Sequence, residues 1–243
     1  MQDSRREFAG AVPPTSISFL GTAVAYNVRM AVPSRAMSLS GRFFAAIYDK
    51  ALAGTEKAGL GAHRKTLLSA AAGRVIEIGA GTGANLPYYS DAVEELVICE
   101  PEEPMSRRLE RKLASIGRKV RVERAPAENL PVDKESFDVV VSTLVLCTVG
   151  DPRRALAELR RVLKPGGRLL FIEHVRAEDP GLARWQDRLN FLNKGIAHGC
   201  NCNRNTVEQI TAAGFKLTKL DRDRLRKAPP LVRPLVVGIA VRS

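Results

Sequence analysis

The chain has 243 residues, of which 45% are hydrophobic and 26% are charged, a composition typical of one globular domain with a sizeable core. It excludes a small disulfide-stabilised protein, a collagen-like fibre and a mainly disordered chain. No apolar run approaches the roughly 18–20 residues that a membrane-spanning helix needs.

The net charge of +12 arises from 38 Lys and Arg residues against 26 Asp and Glu residues. Such an excess favours a polyanion or a membrane surface as partner, although a solvated basic face also explains it. Aromatic residues make up only 5% and are not interleaved with the basic clusters, so platforms for base stacking are not expected. We therefore expect no nucleic-acid partner and at most peripheral membrane contact, and the oligomeric state stays open.

The first part of the chain differs from the rest. Residues 1–40 contain several prolines and no sustained hydrophobic periodicity, which predicts a flexible arm or a partial cap. A single domain is predicted over residues 41–243, and its first segments, 43–53 and 56–72, have helical patterns that would form an N-terminal helical cap.

Beyond residue 72, short β-branched or apolar runs alternate with helical stretches. The predicted strands cover residues 74–79, 95–100, 119–124, 137–142, 168–174, 216–220 and 235–241. The predicted helices cover residues 103–116, 152–163, 182–194 and 206–213, with a weaker helical turn after Gly83. Strands that alternate with helices imply an α/β fold with a largely parallel sheet.

The strongest local signal is a buried strand that runs into a glycine-rich turn at residues 75–85, Val-Ile-Glu-Ile-Gly-Ala-Gly-Thr-Gly-Ala-Asn. Gly79, Gly81 and Gly83 allow positive φ and the close approach of a ligand to the main chain. The free N–H groups of a helix beginning there would face the same crevice. The spacing also satisfies the dinucleotide fingerprint, so a nicotinamide or flavin enzyme has to be considered.

Two acidic residues discriminate between these ligands. Glu77 precedes Gly79 by two residues, and its carboxylate, placed at the crevice, would repel a pyrophosphate and attract the ammonium of an amino-acid cofactor. Glu100 ends the second predicted strand, 21 residues after Gly79, where a carboxylate accepts both hydroxyls of a ribose. These two positions favour a ligand that joins an amino acid to a nucleoside.

Four segments occur in order: residues 77–83, Glu100 followed by Met105, residues 127–131 and residues 163–167. With them the chain resembles a class I S-adenosylmethionine (SAM) methyltransferase of the UbiE-like type over residues 43–243. The resemblance implies a Rossmann-like, seven-stranded, mostly parallel sheet with helices on both faces. It also implies SAM as cofactor and S-adenosylhomocysteine as product.

The resemblance implies that the glycine turn packs against the methionine part of SAM, that Glu100 holds the ribose and that Met105 covers one face of the adenine. Ala127 and Glu128 would bracket the adenine edge. The acidic residue often found just before Ala127 is Pro126 here, so adenine recognition would rest on backbone groups or on Glu128. The full predicted cofactor-binding set is Glu77, Gly79, Ala80, Gly81, Gly83, Asn85, Glu100, Pro101, Met105, Ala127, Glu128, Thr143 and Leu144.

A narrower resemblance involves residues 139–147, 173–175, 199–204 and 232–234, which are similar to the methyltransferase-like thiol methyltransferases. Those enzymes methylate small alkyl thiols and hydrogen sulfide, and a small-molecule thiol is therefore the implied acceptor. Two alternatives stay open. One is a C-, O- or N-methyltransferase of a quinone, a phenol or a phospholipid headgroup, and the other is a non-enzymatic SAM-binding regulator.

The acceptor chemistry makes modest demands on side chains. A thiol with a pKa of about 8.5 is partly thiolate at neutral pH, so in-line displacement aided by proximity and desolvation needs no strong base. Cys147 and His174 follow strands whose carboxyl ends should line the crevice, and they are predicted as a wall residue and a proton shuttle. Tyr48, on the first predicted helix, would close over SAM. Packing in the core is the competing interpretation for Cys147 and Tyr48, and a supporting hydrogen-bonded histidine is that for His174.

The remaining signals lie between residues 198 and 208. Cys200 and Cys202, with His198, look like metal ligands, but a structural zinc site needs four ligands and wider spacing, so no metal is predicted. The cysteine usage favours a reducing, cytoplasmic compartment. Asn205 is predicted to cap the following helix, and Arg204 to anchor its loop to a carboxylate.

Overall fold

The computed structural model describes residues 29–30, 52–116, 119–197 and 199–243. Tyr48, His198, most of the predicted arm and residues 43–51 of the predicted helix 43–53 lie outside these ranges. The division into an arm and a domain therefore stays a prediction, as does the part of the helical cap before residue 52.

The described chain contains eight strands and five helices of seven residues or more. The strands are β1 (Arg29–Met30), β2 (Gly73–Ile78), β3 (Val93–Cys99), β4 (Val120–Arg124), β5 (Phe137–Thr143), β6 (Leu163–His174), β7 (Phe215–Arg224) and β8 (Pro234–Arg242). The helices are α1 (Gly61–Leu68), α2 (Glu103–Ile116), α3 (Pro152–Val162), α4 (Pro180–Ile196) and α5 (Thr206–Ala212). Short helical turns cover Glu56–Leu60, Leu86–Tyr88 and Pro230–Val232.

All eight strands form one sheet in the order β1-β4-β3-β2-β5-β6-β8-β7. The pairs from β1 to β6 are parallel, whereas β8 runs antiparallel to both β6 and β7. The predicted seven-stranded, mostly parallel sheet is thus confirmed, and the two-residue β1 extends it at the β4 edge.

Successive side chains of a central strand point to opposite faces of the sheet, and both faces are buried. Val139 and Val141 join the cluster that also holds Leu67 of α1 and Leu109 of α2. Val140 joins the opposite cluster, with Leu156 of α3. Helices therefore cover both faces, as predicted, and the carboxyl ends of the parallel strands share one edge.

Several predicted boundaries need correction. No regular helix begins at the glycine turn, since only the single turn Leu86–Tyr88 follows it. Strand β6 begins at Leu163, five residues earlier than predicted, because residues 164–167 stay in the strand through a register shift. Asn205 occupies the predicted N-cap position of α5, but its side chain makes no cap hydrogen bond, because its amide donates to Glu208 Oε2 (3.1 Å).

Among the residues that the structure describes, no helix combines the length and the apolar character needed to cross a membrane.

Gly238 in β8 allows a close contact inside the sheet. It lies opposite Phe171 of β6, and a Cβ placed there would overlap the Phe171 ring and come within 2.9 Å of the Lys219 carbonyl oxygen. Phe171 is fully buried, so its ring has no room to move away.

We expect Gly238→Ala to lower the free energy of unfolding by about 1–3 kcal/mol through overpacking. The matched control is Gly195→Ala in helix α4, where a Cβ meets nothing within 4 Å and alanine should stabilise by up to about 1 kcal/mol. Urea denaturation of both variants measures the difference, and equal effects would contradict the assigned contact.

Candidate active site

The glycine turn after β2 has the backbone that the sequence predicts. Gly79, Gly81 and Gly83 have φ values of +55°, +57° and +80°, in the left-handed region. A Cβ on Gly79 would lie 2.6 Å from Val145 Cγ2, and one on Gly83 would lie 2.7 Å from Leu86 Cδ1. The turn is therefore packed directly against the loop after β5, with no space for side chains at these positions.

Glu100 connects the turn to the end of β3. Its carboxylate, in a residue only 5% exposed, accepts the N–H of Gly81 (2.8 Å) and the N–H of Glu102 (2.8 Å). Ala80 also donates its N–H to the carbonyl of Cys99 (3.3 Å). These bonds orient the Glu100 carboxylate beside the glycine turn, and the two motifs that the sequence links at a distance lie side by side.

Glu77 is placed differently from the prediction. The residue is 1% exposed, and its carboxylate accepts Asn85 Nδ2 (2.9 Å) and the hydroxyl of Tyr89 (2.7 Å). Burial raises the pKa of Glu77, while the two hydrogen bonds and the positive charge of Arg64 act in the opposite direction. The carboxylate is thus buried in a polar network and does not face an open crevice.

The same network contains Arg64 of α1, which the sequence analysis missed. Arg64 is 3% exposed and donates to Asn85 Oδ1 (2.7 Å) and Thr143 Oγ1 (3.0 Å). It also pairs with Glu56 (3.0 Å), because a buried guanidinium needs carboxylate and carbonyl partners. His63 and Lys65 beside it make this part of the sequence look like an exposed basic helix, and no local signal marks Arg64 as buried.

The other predicted cofactor residues divide into exposed and packed groups. Pro101 is exposed after β3, whereas Met105 and Ala127 are 5% and 6% exposed. Glu128 accepts the N–H groups of Gly150 (2.9 Å) and Asp151 (3.2 Å), so its carboxylate joins its loop to the start of α3.

Strand β5 ends in an abrupt reversal at Leu144. Its φ of +61° is in the left-handed region, which costs a residue with a Cβ about 1–2 kcal/mol. The N–H of Leu144 donates to the carbonyl of Ile172 (2.7 Å), and the reversal sends the chain across the end of β6.

Glu173 of β6 holds the loop that follows this reversal. The residue is fully buried, and Oε1 accepts Ser142 Oγ (2.7 Å), Val145 N–H (3.1 Å) and Leu146 N–H (3.0 Å). Oε2 accepts Cys147 N–H (3.2 Å). Burial raises the pKa of Glu173, and these four hydrogen bonds oppose the rise. The sequence signal that could have identified Glu173 is the occurrence of an acidic residue within a buried strand, next to His174.

Cys147, His174 and Cys200 come together beside this loop. His174 Nδ1 lies 3.5 Å from Cys200 Sγ and 3.9 Å from Cys147 Sγ, and the two cysteines are 4% and 1% exposed. The hydrogen bond from Cys147 and the nearby His174 lower the pKa of Cys200 to about 5. The contact with Cys200 and burial raise the pKa of Cys147. The sequence predicted Cys147 and His174 at the acceptor side and did not group Cys200 with them.

The loop after α4 is fastened to the loop after β5. Asn201 donates its backbone N–H to the Cys147 carbonyl (2.8 Å), while the guanidinium of Arg204 donates to the carbonyls of Leu146 and Val149 (3.0 Å for the latter). The predicted carboxylate partner of Arg204 is therefore replaced by main-chain oxygens.

Comparisons with known proteins agree with this architecture. The family profile described as "Methyltransferase domain" matches residues 76–171. The thiol S-methyltransferase TMT1B of Homo sapiens is 38% identical over 187 residues, which cover 72% of this chain and 74% of that protein. The chain belongs to this family of SAM-dependent methyltransferases. Its cofactor is accordingly SAM.

Two further comparisons give more distant matches. The demethylmenaquinone methyltransferase of Clavibacter sepedonicus is 36% identical over 114 residues, 47% of this chain and 46% of that protein. The crystal structure of the N-methyltransferase NodS from Bradyrhizobium japonicum WM9, in complex with S-adenosylhomocysteine, superposes with a TM-score of 0.59 at 15% identity. It covers 77% of this chain and 87% of NodS, which supports the fold alone.

We expect Glu173→Gln to lower the free energy of unfolding of the methyltransferase by about 2–3 kcal/mol, because an amide replaces one acceptor oxygen by a donor. The control is Glu178→Gln, an exposed residue paired with Arg222, which should change stability by less than about 0.5 kcal/mol. Chemical denaturation compares them, and a Glu173→Gln protein as stable as the control would show that the loop does not depend on the carboxylate.

Proposed function

We propose that this methyltransferase transfers the methyl group of SAM to the sulfur of a small-molecule thiol. The observation that carries the proposal is that the Glu173 carboxylate accepts four hydrogen bonds from the protein and is therefore not available as a base for the acceptor. With that carboxylate occupied, Cys147, His174 and Cys200 are the titratable groups gathered beside the loop after β5. The similarity to the thiol S-methyltransferase TMT1B supports the same acceptor.

The glycine turn and Glu100 have the features that SAM binding needs. Gly79 and Gly81 are half-buried, so main-chain atoms of the turn stay accessible beside β2, where the methionine part would lie. Glu100 is held by two N–H groups at the end of β3, in position to accept ribose hydroxyls. Met105, Ala127 and Pro101 would surround the adenine, with Glu128 supporting that loop.

Residues Glu77, Asn85 and Thr143 take a different part in the proposed site. Their polar atoms bind one another and Arg64, so they would position the glycine turn and the end of β5 around the amino-acid end of SAM. Bound SAM supplies an electrophilic methyl group on a positively charged sulfur. The net charge of the buried network would then set the potential felt at that end of the cofactor.

The chain's own contribution to catalysis is placement and exclusion of water. Leu144 packs against one core cluster, and Val145 and Leu146, 8% and 1% exposed, belong to the other, so apolar side chains follow the end of β5, where we propose that they form a wall beside the acceptor. Such a wall removes water from the reacting sulfur and keeps it in line. A thiol ionises readily near neutral pH, so proton removal needs no carboxylate base.

A ring carbon is the second candidate acceptor. The relative named demethylmenaquinone methyltransferase favours it, although that match covers less than half of either chain. The SAM-binding regulator, the phospholipid acceptor and the cytoplasmic location stay predictions from sequence.

We expect Glu100→Ala to weaken SAM binding by about 1–3 kcal/mol, because the variant loses hydrogen bonds to a charged acceptor. Titration calorimetry with SAM measures the change. Glu94→Ala, at an exposed position of β3, serves as control and should bind SAM as the unchanged chain does. Equal affinity of both variants would remove Glu100 from the proposed ribose site.

The acceptor itself is tested by competition. The protein is incubated with methyl-labelled SAM and a mixture of a small apolar thiol, its alcohol and phenol analogues, a quinol and an aminophospholipid. We expect mass spectrometry to find the label on the thiol, with the alcohol of the same shape as matched control. Label on the quinol or the lipid alone would overturn the thiol proposal while keeping the family and the cofactor.

A further inference from the structure

The cluster formed by Cys147, His174 and Cys200 has the spacing of metal ligands. All three donor atoms lie within 4.8 Å of one another. Zinc bonds of about 2.3 Å to sulfur and about 2.0–2.1 Å to nitrogen place tetrahedral S and N ligands roughly 3.6 Å apart. The observed distances from His174 Nδ1, 3.5 Å and 3.9 Å, bracket that value before any adjustment.

Donor type and number narrow the choice of ion. Two thiolates and an imidazole suit zinc, whereas calcium and magnesium prefer oxygen ligands. Three protein ligands leave one tetrahedral position open, which is the arrangement of catalytic zinc sites and not of closed structural ones. Two thiolates also neutralise the charge of the ion, so the buried site would carry no net charge.

The two cysteine ligands are held in place from outside the cluster. The N–H of Cys147 is bound by Glu173, and its carbonyl accepts the N–H of Asn201 (2.8 Å), next to Cys200. Asn193 Nδ2 donates to the carbonyl of Cys200 (2.7 Å). Such supporting bonds fix ligand orientation before an ion binds. Cys202, two residues further on, is buried separately, with its Sγ 3.8 Å from Asn190 Oδ1.

We propose that Cys147, His174 and Cys200 bind a zinc ion whose fourth position receives the sulfur of the thiol acceptor. This revises the prediction that the chain has no metal site. The identity of the fourth ligand rests on the proposed thiol function, whereas the three-ligand site does not.

The proposed step binds the acceptor and ionises it. Water leaves the zinc ion, a zinc–sulfur bond forms, the S–H bond breaks and its proton passes to bulk water. Zinc stabilises the thiolate, so the acceptor is held deprotonated at neutral pH. His174 remains a ligand and takes no proton, and both cysteines remain ligands and form no covalent intermediate.

The first measurement is the metal content of the full chain. The protein is purified without a metal-affinity tag and dialysed first against zinc and then against zinc-free buffer. We expect about one zinc ion per chain by elemental mass spectrometry. Cys200→Ser and His174→Ala should each lose it, while the control Cys202→Ser, in the same loop, should retain it. Unfolding curves verify that each variant is folded. Zinc retained by both folded ligand variants, or no zinc in the unchanged chain, overturns the site.

Cobalt(II) provides a readout that is independent of activity. Cobalt bound at the cluster should show thiolate-to-metal charge-transfer absorption, which Cys147→Ser weakens and Cys202→Ser leaves unchanged. A small thiol should increase this absorption, and its alcohol analogue should not. Unchanged absorption with the thiol overturns the fourth-ligand assignment.

The two proposals fail in distinguishable ways. Thiol methylation by a protein free of metal overturns the assignment of the acceptor as fourth ligand and keeps the thiol function. A Cys147–Cys200 disulfide found by peptide mass spectrometry in the active protein overturns the three-ligand site and also keeps the thiol function. Zinc bound at the cluster with label only on a quinol or a lipid keeps the three-ligand site and overturns the thiol function.

Discussion

A buried carboxylate with four donors around it determines the path of the loop after β5 in this methyltransferase. Glu173 ends a strand surrounded by apolar side chains, where an uncompensated charge would be costly. The chain compensates by turning three consecutive N–H groups toward it, and it tolerates a left-handed Leu144 to do so. The position of Cys147 follows from that turn, because its N–H is the third donor.

The cofactor side depends on a second set of buried charges. Arg64 and Glu77 lie on opposite sides of Asn85, whose amide satisfies both through its carbonyl and its NH₂ group. Because each member has partners inside the set, truncation of one would leave the others unsatisfied in a low dielectric. The glycine turn is therefore supported by electrostatics as much as by packing.

Much of the fold was predictable because it depends on local patterns. Helix α2 was predicted to the residue, and the glycine turn was recognised because only glycine adopts three left-handed conformations so close together. The buried role of Arg64 was not predictable, since its neighbours in the chain are also basic. Glu77 was predicted to face the crevice because it precedes Gly79 by two residues. Its actual partners, Asn85 and Tyr89, were not recognised, because they lie in an irregular segment where a regular helix was expected.

The thiol cluster was missed for a different reason. Cys147 follows β5, His174 ends β6 and Cys200 follows α4, so the three are far apart in the chain, and the local spacing of cysteines directed attention to Cys202 and His198. Their meeting depends on Arg204 and Asn201, which bind main-chain oxygens and so leave no complementary charge pattern in the sequence. Long-range contacts made through the backbone are invisible to motif analysis.

The fastening of the loop after α4 to the loop after β5 has a consequence for the dynamics of the protein. Arg204 and Asn201 bind three carbonyls of the neighbouring loop, so neither loop can open while the other keeps its native path. The two form one cooperative unit of local stability, whose amides would exchange with solvent together. Entry of an acceptor then requires either a preformed opening or the concerted release of both loops. With concerted release, the selectivity of the enzyme would depend on the rate of a collective motion as well as on the shape of the site.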